Sequence, residues 1–201
     1  MKKLALVALL ALEFAVCGCG TSGSPATFTN TQATGNWEAQ LTGGTDQASL
    51  LNFVTTFTVT NQGPLDITGF GFFNAGTCFP TGTGTTFAGS SPAEAVTGSA
   101  NFGTNVATNQ VTGTLGLTIT SNINGSVLTL NEQGSSLTGT SNGSTSTTGT
   151  LSNGVVVGTW TLAPGSNAPG CSKAQGNYIL CQDKATCTPP TGAVLINKSN
   201  N

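Results

Sequence analysis

The sequence contains no histidine and no arginine, and its basic residues are five lysines at positions 2, 3, 173, 184 and 198. Without imidazole there is no side-chain base that titrates near neutrality, no Ser-His-Asp triad and no imidazole metal ligand. So few cations cannot neutralise several phosphates, which excludes nucleic-acid binding. No glycine-rich loop ends in Lys-Ser or Lys-Thr, which excludes a P-loop. We therefore predict a protein that is not an enzyme and that uses no cofactor and no metal.

Charge of either sign is scarce. Charged residues make up 6% of the 201 residues, and the formal net charge is −2, whereas average globular proteins are about 25% charged. Disorder usually accompanies a high net charge, and β-branched residues are abundant here. We therefore expect one folded β-rich domain with a surface of threonine, serine and asparagine.

Apolar and polar residues alternate with a period of two in several segments, as they do in half-buried strands. The clearest case is Gln110 to Thr120, where Val111, Leu115, Leu117 and Ile119 share one face. About ten such short strands predict an all-β antiparallel meander. Because an uncharged sheet edge would pair with a neighbour, we favour an up-and-down barrel or barrel-like closure, with a two-sheet β-sandwich as the alternative.

Local backbone signals support this meander. Asn124-Gly125, Asn142-Gly143 and Asn153-Gly154 each separate strand-like runs, and Asn-Gly favours the positive φ angles of tight hairpin turns. Between residues 65 and 73 the apolar side chains change from odd to even positions at Gly69, which predicts a β-bulge.

The N-terminus has the layout of an export signal, with Lys2 and Lys3 before an apolar run from residue 4 to residue 16. This run is shorter than the roughly 20 residues that a membrane-spanning helix needs. The following Val16-Cys17-Gly18-Cys19 resembles the lipobox of bacterial lipoproteins, and the small Gly18 favours Cys19 over Cys17 as the lipidated residue. The resemblance implies a signal peptide over 1–18 and a lipidated Cys19. The small, uncharged residues that follow predict a flexible tether, so that 19–35 hold the lipidated cysteine and the tether, and 36–201 form a single β-rich domain. The lipobox resemblance also implies attachment to the cell envelope, at the outer membrane if the cell has two membranes.

Four cysteines remain after Cys19, an even number that predicts disulfides in an exported chain. We favour the pairs Cys181–Cys187 and Cys78–Cys171, although four cysteines allow three connectivities. Their spacings lack the close cysteine pairs of a zinc site.

Two short motifs suggest an architecture. Gly35-Asn36-Trp37 and Gly158-Thr159-Trp160 are similar to the Gly-x-Trp that opens lipocalin-like and avidin-like barrels. The resemblance implies a barrel whose interior holds a small apolar ligand, with Trp37 and Trp160 lining it. The arginine that packs on this tryptophan in many lipocalins is missing here.

Carboxylates offer another interpretation, because glycoside hydrolysis needs two of them flanking one bond. No local motif selects such a pair among the six acidic residues outside the signal, which are Glu38, Asp46, Asp66, Glu94, Glu132 and Asp183. A carboxylate-based polysaccharide hydrolase is therefore the second alternative, after the apolar ligand-binding barrel. Our leading expectation is a membrane-tethered extracytoplasmic lipoprotein with a non-enzymatic binding or structural role. Its partners would be the membrane and an envelope protein, a glycan or a small apolar ligand.

Overall fold

The computed structural model describes residues 28–43, 51–73, 76–80, 94–143 and 149–183. Over these ranges the chain forms eleven β-strands and no α-helix, which confirms the predicted all-β class. No described segment is an apolar helix of membrane-spanning length. The strands are β1 (Phe28–Thr29), β2 (Thr31–Thr42), β3 (Phe53–Thr60), β4 (Gln62–Pro64), β5 (Asp66–Phe72), β6 (Glu94–Asn105), β7 (Gln110–Ser121), β8 (Val127–Leu130), β9 (Ser136–Asn142), β10 (Gly149–Ala163) and β11 (Ala174–Gln182).

All eleven strands belong to one sheet with the order β1-β6-β7-β8-β10-β11-β2-β3-β5 along its main path. Neighbours pair antiparallel, apart from a short parallel contact between the starts of β10 and β2. The sheet curls back on itself because β1, which leads directly into β2, and β4, which leads into β5, both pair with β6. The result is a partly ring-shaped sheet with one face turned inwards, which is consistent with the predicted barrel-like closure and also with a two-sheet sandwich.

The inward face holds the hydrophobic core, and the predicted alternation is visible in it. On β3, Phe53, Phe57 and Val59 are buried, and most of the residues between them are more exposed at the outer surface. Edge-to-face and tilted contacts continue from Phe53 through Phe70 and Phe72. Aromatic pairs of this geometry add stabilisation beyond their buried area, so this cluster helps to stabilise the core.

The predicted bulge near Gly69 is present. The register between β3 and β5 shifts there, since Thr56 pairs with Gly69 but Phe57 pairs with Ile67. Thr68 is therefore the extra residue. The hydroxyl of Thr55 donates to the main-chain oxygen of Gly69 at 2.9 Å, which satisfies an acceptor at the irregularity.

Of the three Asn-Gly pairs, each of which is expected to form a hairpin turn, not all do so in the structure. Asn124-Gly125 forms the turn between β7 and β8, with φ of 76° at Gly125, as predicted. Asn142 ends β9, which pairs antiparallel with β10, although residues 144–148 lie outside the described ranges. The third prediction is wrong, because Asn153 lies inside β10 with φ of 51°. Instead of reversing the chain, Asn153 lies between two parts of β10: the residues before Asn153 pair with β9, and the residues after it pair with β11.

The sheet also begins earlier than the sequence indicates. The composition of residues 28–35 predicts part of a flexible tether, but they form β1 and the start of β2, where Thr31 and Ala33 are fully buried. Small residues there allow close packing, and the same composition is typical of linkers. A tether can therefore extend only to residues before Phe28, which lie outside the described ranges.

Candidate functional site

The main irregularity of the sheet is a gap between β8 and β9. Strand β7 pairs with β8 near one end and with β9 near the other, and residues 131–135 leave the sheet between them. At the gap, the main-chain N–H of Leu115 donates to Ser135 Oγ at 3.0 Å. The oxygen of Leu115 accepts a hydrogen bond from the Tyr178 hydroxyl at 3.2 Å. Two side chains thus replace the missing strand, because buried main-chain groups must be paired.

The segment that leaves the sheet places Glu132 on the outer face. Thr114 donates its hydroxyl hydrogen to Glu132 Oε1 at 3.2 Å, and Ser99 donates to Glu132 Oε2. Both the N–H and the hydroxyl of Ser135 donate to the main-chain oxygen of Glu132, at 3.0 and 2.8 Å. The carboxylate is therefore fixed by hydroxyl groups from β6 and β7, and its turn is closed by Ser135.

Gly116 makes this arrangement possible. A Cβ atom on Gly116 would lie 2.8 Å from the Cβ of Glu132 and 3.0 Å from its main-chain nitrogen. Real Cβ atoms do not approach other atoms so closely without displacing them. The absence of a side chain at this position lets the turn lie against the outer face of β7.

Glu132 lines a groove of about 510 Å3 on the outer face of β6, β7 and β8. The residues that line it are Thr97, Gly98, Ser99, Gly116, Leu117, Thr118, Thr129, Leu130, Asn131, Glu132 and Gln133. Their side chains are mainly hydroxyls and amides, with one carboxylate and two leucines. The groove therefore offers many hydrogen-bonding side chains, and its exposed surface is about equally polar and apolar.

Tyr178 supports the groove from inside the sheet. It pairs with Gly158 on β10, where an added Cβ would lie 2.8 Å from the tyrosine ring, so the ring passes across the glycine. Burial raises the pKa of Tyr178 above its ordinary value of 10.0, because the charged tyrosinate loses its hydration. A hydrogen bond with Ser135 lowers the pKa, and the nearby charge of Glu132 raises it.

The two tryptophans predicted to line a ligand cavity belong to the packed core. Trp37 and Trp160 are 1% and 0% exposed. Trp37 stacks on Phe57 with ring centroids 5.1 Å apart, and Trp160 Nε1 donates to the main-chain oxygen of Thr42 at 3.1 Å. Neither residue lines the groove, and a ligand-binding role for them stays a prediction.

The structure joins Cys78 and Cys171 by a disulfide with a Cα–Cα distance of 4.9 Å, in agreement with the predicted pair. Asn124 in the β7–β8 turn donates to the main-chain oxygen of Cys78 at 3.1 Å. Cys181 is also disulfide-bonded, but Cys187 lies outside the described residues, so that pairing stays a prediction. Cys19 lies outside them too, and its lipidation is likewise untested.

The other described acidic residues do not line the groove. Glu38 accepts a hydrogen bond from Gln40 at 3.1 Å, and Asp183 accepts one from the main-chain N–H of Asn36 at 3.2 Å. Asp66 begins β5, and Glu94, which begins β6, is 2% exposed; Asp46 falls in a range that is not described. The described residues contain no group of three or more His, Cys, Asp or Glu side chains that could hold a metal ion.

The sequence does not distinguish Glu132 from the other acidic residues. A signal is present, since the polar run from Asn131 to Ser135 separates two strand-like segments. Which residues face this run depends on the pairing of β6 with β7, and Ser99 is 33 positions away from Glu132. Local sequence carries no information about that register.

Comparisons with protein-family models, with curated proteins and with solved structures give no match for this chain. We therefore infer its function from its own sequence and geometry.

Proposed function

We propose that the chain is a membrane-tethered extracytoplasmic lipoprotein whose β domain binds a partner and does not convert it. The observation that carries the binding role is Glu132, fixed by Ser99 and Thr114 in an open polar groove. Glu132 has this position because residues 131–135 leave the sheet between β8 and β9. The buried Tyr178 then pairs with the main-chain oxygen of Leu115 at the gap.

The extracytoplasmic location is supported by the cysteines. A disulfide between Cys78 and Cys171 is typical of an oxidising compartment outside the cytoplasm. The lipobox-like sequence that ends at Cys19 supports a lipid anchor. Residues 20–27 separate Cys19 from β1, and even fully extended this segment would reach only about 30 Å. The domain would therefore stay close to the membrane surface.

Binding is favoured over hydrolysis by the composition of the groove. Glycoside hydrolysis uses two carboxylates, one on each side of the scissile bond. Glu132 is the one carboxylate among the residues that line the groove, and its oxygens accept hydrogen bonds from neutral hydroxyls. One fixed carboxylate can orient a ligand, but it lacks the acid–base partner that this reaction requires.

The anchor is tested by a pair of matched variants, Cys19→Ser and Cys17→Ser, expressed in a bacterium that processes lipoproteins and labelled with radioactive palmitate. We expect Cys17→Ser to incorporate label and to sediment with membranes as the unaltered chain does. We expect Cys19→Ser to lose the label and to leave the membrane fraction. Equal labelling of Cys19→Ser and the unaltered chain would contradict the proposed anchor.

A further inference from the structure

We infer that the groove around Glu132 binds a neutral glycan strand through the hydroxyl groups of its sugars. This inference deepens the proposed function, since it names the partner class of the same site. It depends on the chemistry of the lining residues, the size and open position of the groove and the fixed position of one carboxylate.

The lining residues disfavour anionic ligands and purely apolar ligands. None of them is basic, so phosphate and carboxylate ligands would meet no cation and would be repelled by Glu132. Apart from Leu117 and Leu130, which are buried, the lining side chains are polar or absent, so an apolar ligand would leave hydroxyls and amides unpaired. Sugars, in contrast, present dense donors and acceptors that match hydroxyl and amide side chains.

The size and the open position of the groove suit a segment of a sugar chain. Its volume of about 510 Å3 falls within the range of about 300–1,000 Å3 for small-molecule sites. It lies open on the outer surface across three adjacent strands and is not enclosed in the core. Part of a sugar chain can therefore enter it from the solvent.

Glu132 gives this groove an acceptor that is positioned before the ligand arrives. An ionised carboxylate has about four lone-pair sites, and the hydrogen bonds from Ser99 and Thr114 use two of them. The others are available to sugar hydroxyls. Because the side chain is already held in place, less conformational entropy is lost on binding.

The affinity of a single groove should be low, because none of its lining residues is aromatic and hydrogen bonds exchange with water at little net gain. A lipid anchor would compensate, since many copies on one membrane can engage one polysaccharide at the same time. Weak binding by each domain and strong adhesion by the membrane surface are both expected.

The test uses the full chain purified as the cell processes it, titrated with cellohexaose, maltohexaose and chitohexaose and followed by NMR. The hexamer of glucosamine serves as a cationic probe, because it differs from chitohexaose only by the missing acetyl groups. We expect saturable shifts with at least one neutral hexasaccharide. Glu132→Gln should weaken this binding about tenfold, because hydrogen bonds to a charged group are stronger by about 1.4 kcal/mol.

A second pair of variants distinguishes the groove from the rest of the surface. Thr97 lines the groove, and Thr112 lies on the outer face of the adjacent strand outside it; both are exposed. Thr97→Trp should fill the groove and abolish saturable binding. Thr112→Trp should bind as the unaltered chain does.

The inference is overturned if no neutral hexasaccharide binds saturably, or if Thr97→Trp binds as well as Thr112→Trp. Binding of the glucosamine hexamer alone would also overturn it and would assign the groove to a cationic ligand. These outcomes are independent of the anchor, because a chain that lacks palmitate can still be titrated. Failure of the proposed location and failure of the proposed ligand are therefore distinguishable.

Discussion

The hydroxyl of Tyr178 on β11 donates a hydrogen bond to the main-chain oxygen of Leu115 on β7, at 3.2 Å. These two strands are not neighbours in the sheet, since β8 and β10 lie between them. The contact crosses the gap between β8 and β9 and satisfies a buried acceptor that the missing strand would otherwise pair. The gap beside the groove is thus supported by a side chain from the inner face of the sheet.

Replacing the tyrosine by phenylalanine should destabilise the protein without changing its shape. Tyr178→Phe leaves the oxygen of Leu115 buried without a donor, and we expect the free energy of unfolding to fall by about 1–3 kcal/mol. Urea denaturation measures this change. As a control, Thr161→Ala removes a hydroxyl from an exposed position on β10 and should change stability by less than about 0.5 kcal/mol. Equal effects of the two substitutions would contradict the role assigned to Tyr178.

Stability should fall at alkaline pH because of the same residue. The folded protein holds the Tyr178 proton more tightly than the unfolded chain does, since burial raises its pKa. Below the ordinary pKa of about 10 both states are protonated and the full stability is present; as the pH rises above it, the unfolded state loses its proton first and stability declines. Urea unfolding between pH 8 and 11.5 measures this, with Tyr178→Phe as the control that lacks the tyrosine contribution.

The chain contains a single tyrosine, so its ionisation can also be followed directly by absorbance near 295 nm. We expect the folded protein to show no tyrosinate at the pH where the urea-unfolded chain is half ionised. A folded protein that titrates together with the unfolded chain would show that Tyr178 is exposed to water.

A methyl group at Gly116 should displace Glu132. The added Cβ would lie 2.8 Å from the Glu132 Cβ, and overpacking of this kind costs about 1–3 kcal/mol. We expect Gly116→Ala to shift the amide NMR signals of Ser99 and Thr114, whose hydroxyls bind the carboxylate. Gly134→Ala is a suitable comparison, because Gly134 has open space around it but a φ of 80°. It should cost about 1–2 kcal/mol from the backbone alone and leave those two signals in place.

The two predicted disulfides should differ in their contribution to stability. Cys78 and Cys171 are 93 residues apart, and in the chain-entropy model closing so long a loop stabilises the fold by about 4–5 kcal/mol. The predicted Cys181–Cys187 loop is short and should contribute about 2 kcal/mol. Denaturation of the paired variants Cys78→Ala/Cys171→Ala and Cys181→Ala/Cys187→Ala tests the difference. A larger loss from the second pair would contradict the predicted connectivity.

The sheet could be predicted from the sequence where one face is buried. On β7, Val111, Leu115, Leu117 and Ile119 alternate with polar residues because the strand has a core side and an outer side, and all four are buried as expected. The bulge beside Gly69 could be predicted for the same reason. An extra residue moves the apolar side chains after it from odd to even sequence positions.

Other features depend on partners distant in sequence and could not be predicted locally. Asn153-Gly154 has the same preference for positive φ whether it reverses a chain or bends a strand, and only the presence of β11 as a further partner decides between them. Glu132 became distinct from the other carboxylates only once the register placed Ser99 and Thr114 beside it. Residues 28–35 resemble a linker in composition, and their pairing into the sheet, which buries Thr31 and Ala33, is a tertiary effect.

The intact mass of the chain purified from bacterial membranes tests the central claim most directly. We predict a species that begins at Cys19, carries lipid on that residue and lacks four hydrogens because of two disulfides. A chain that retains residues 1–18, or one that begins elsewhere without lipid, would contradict the account of a membrane-tethered extracytoplasmic lipoprotein.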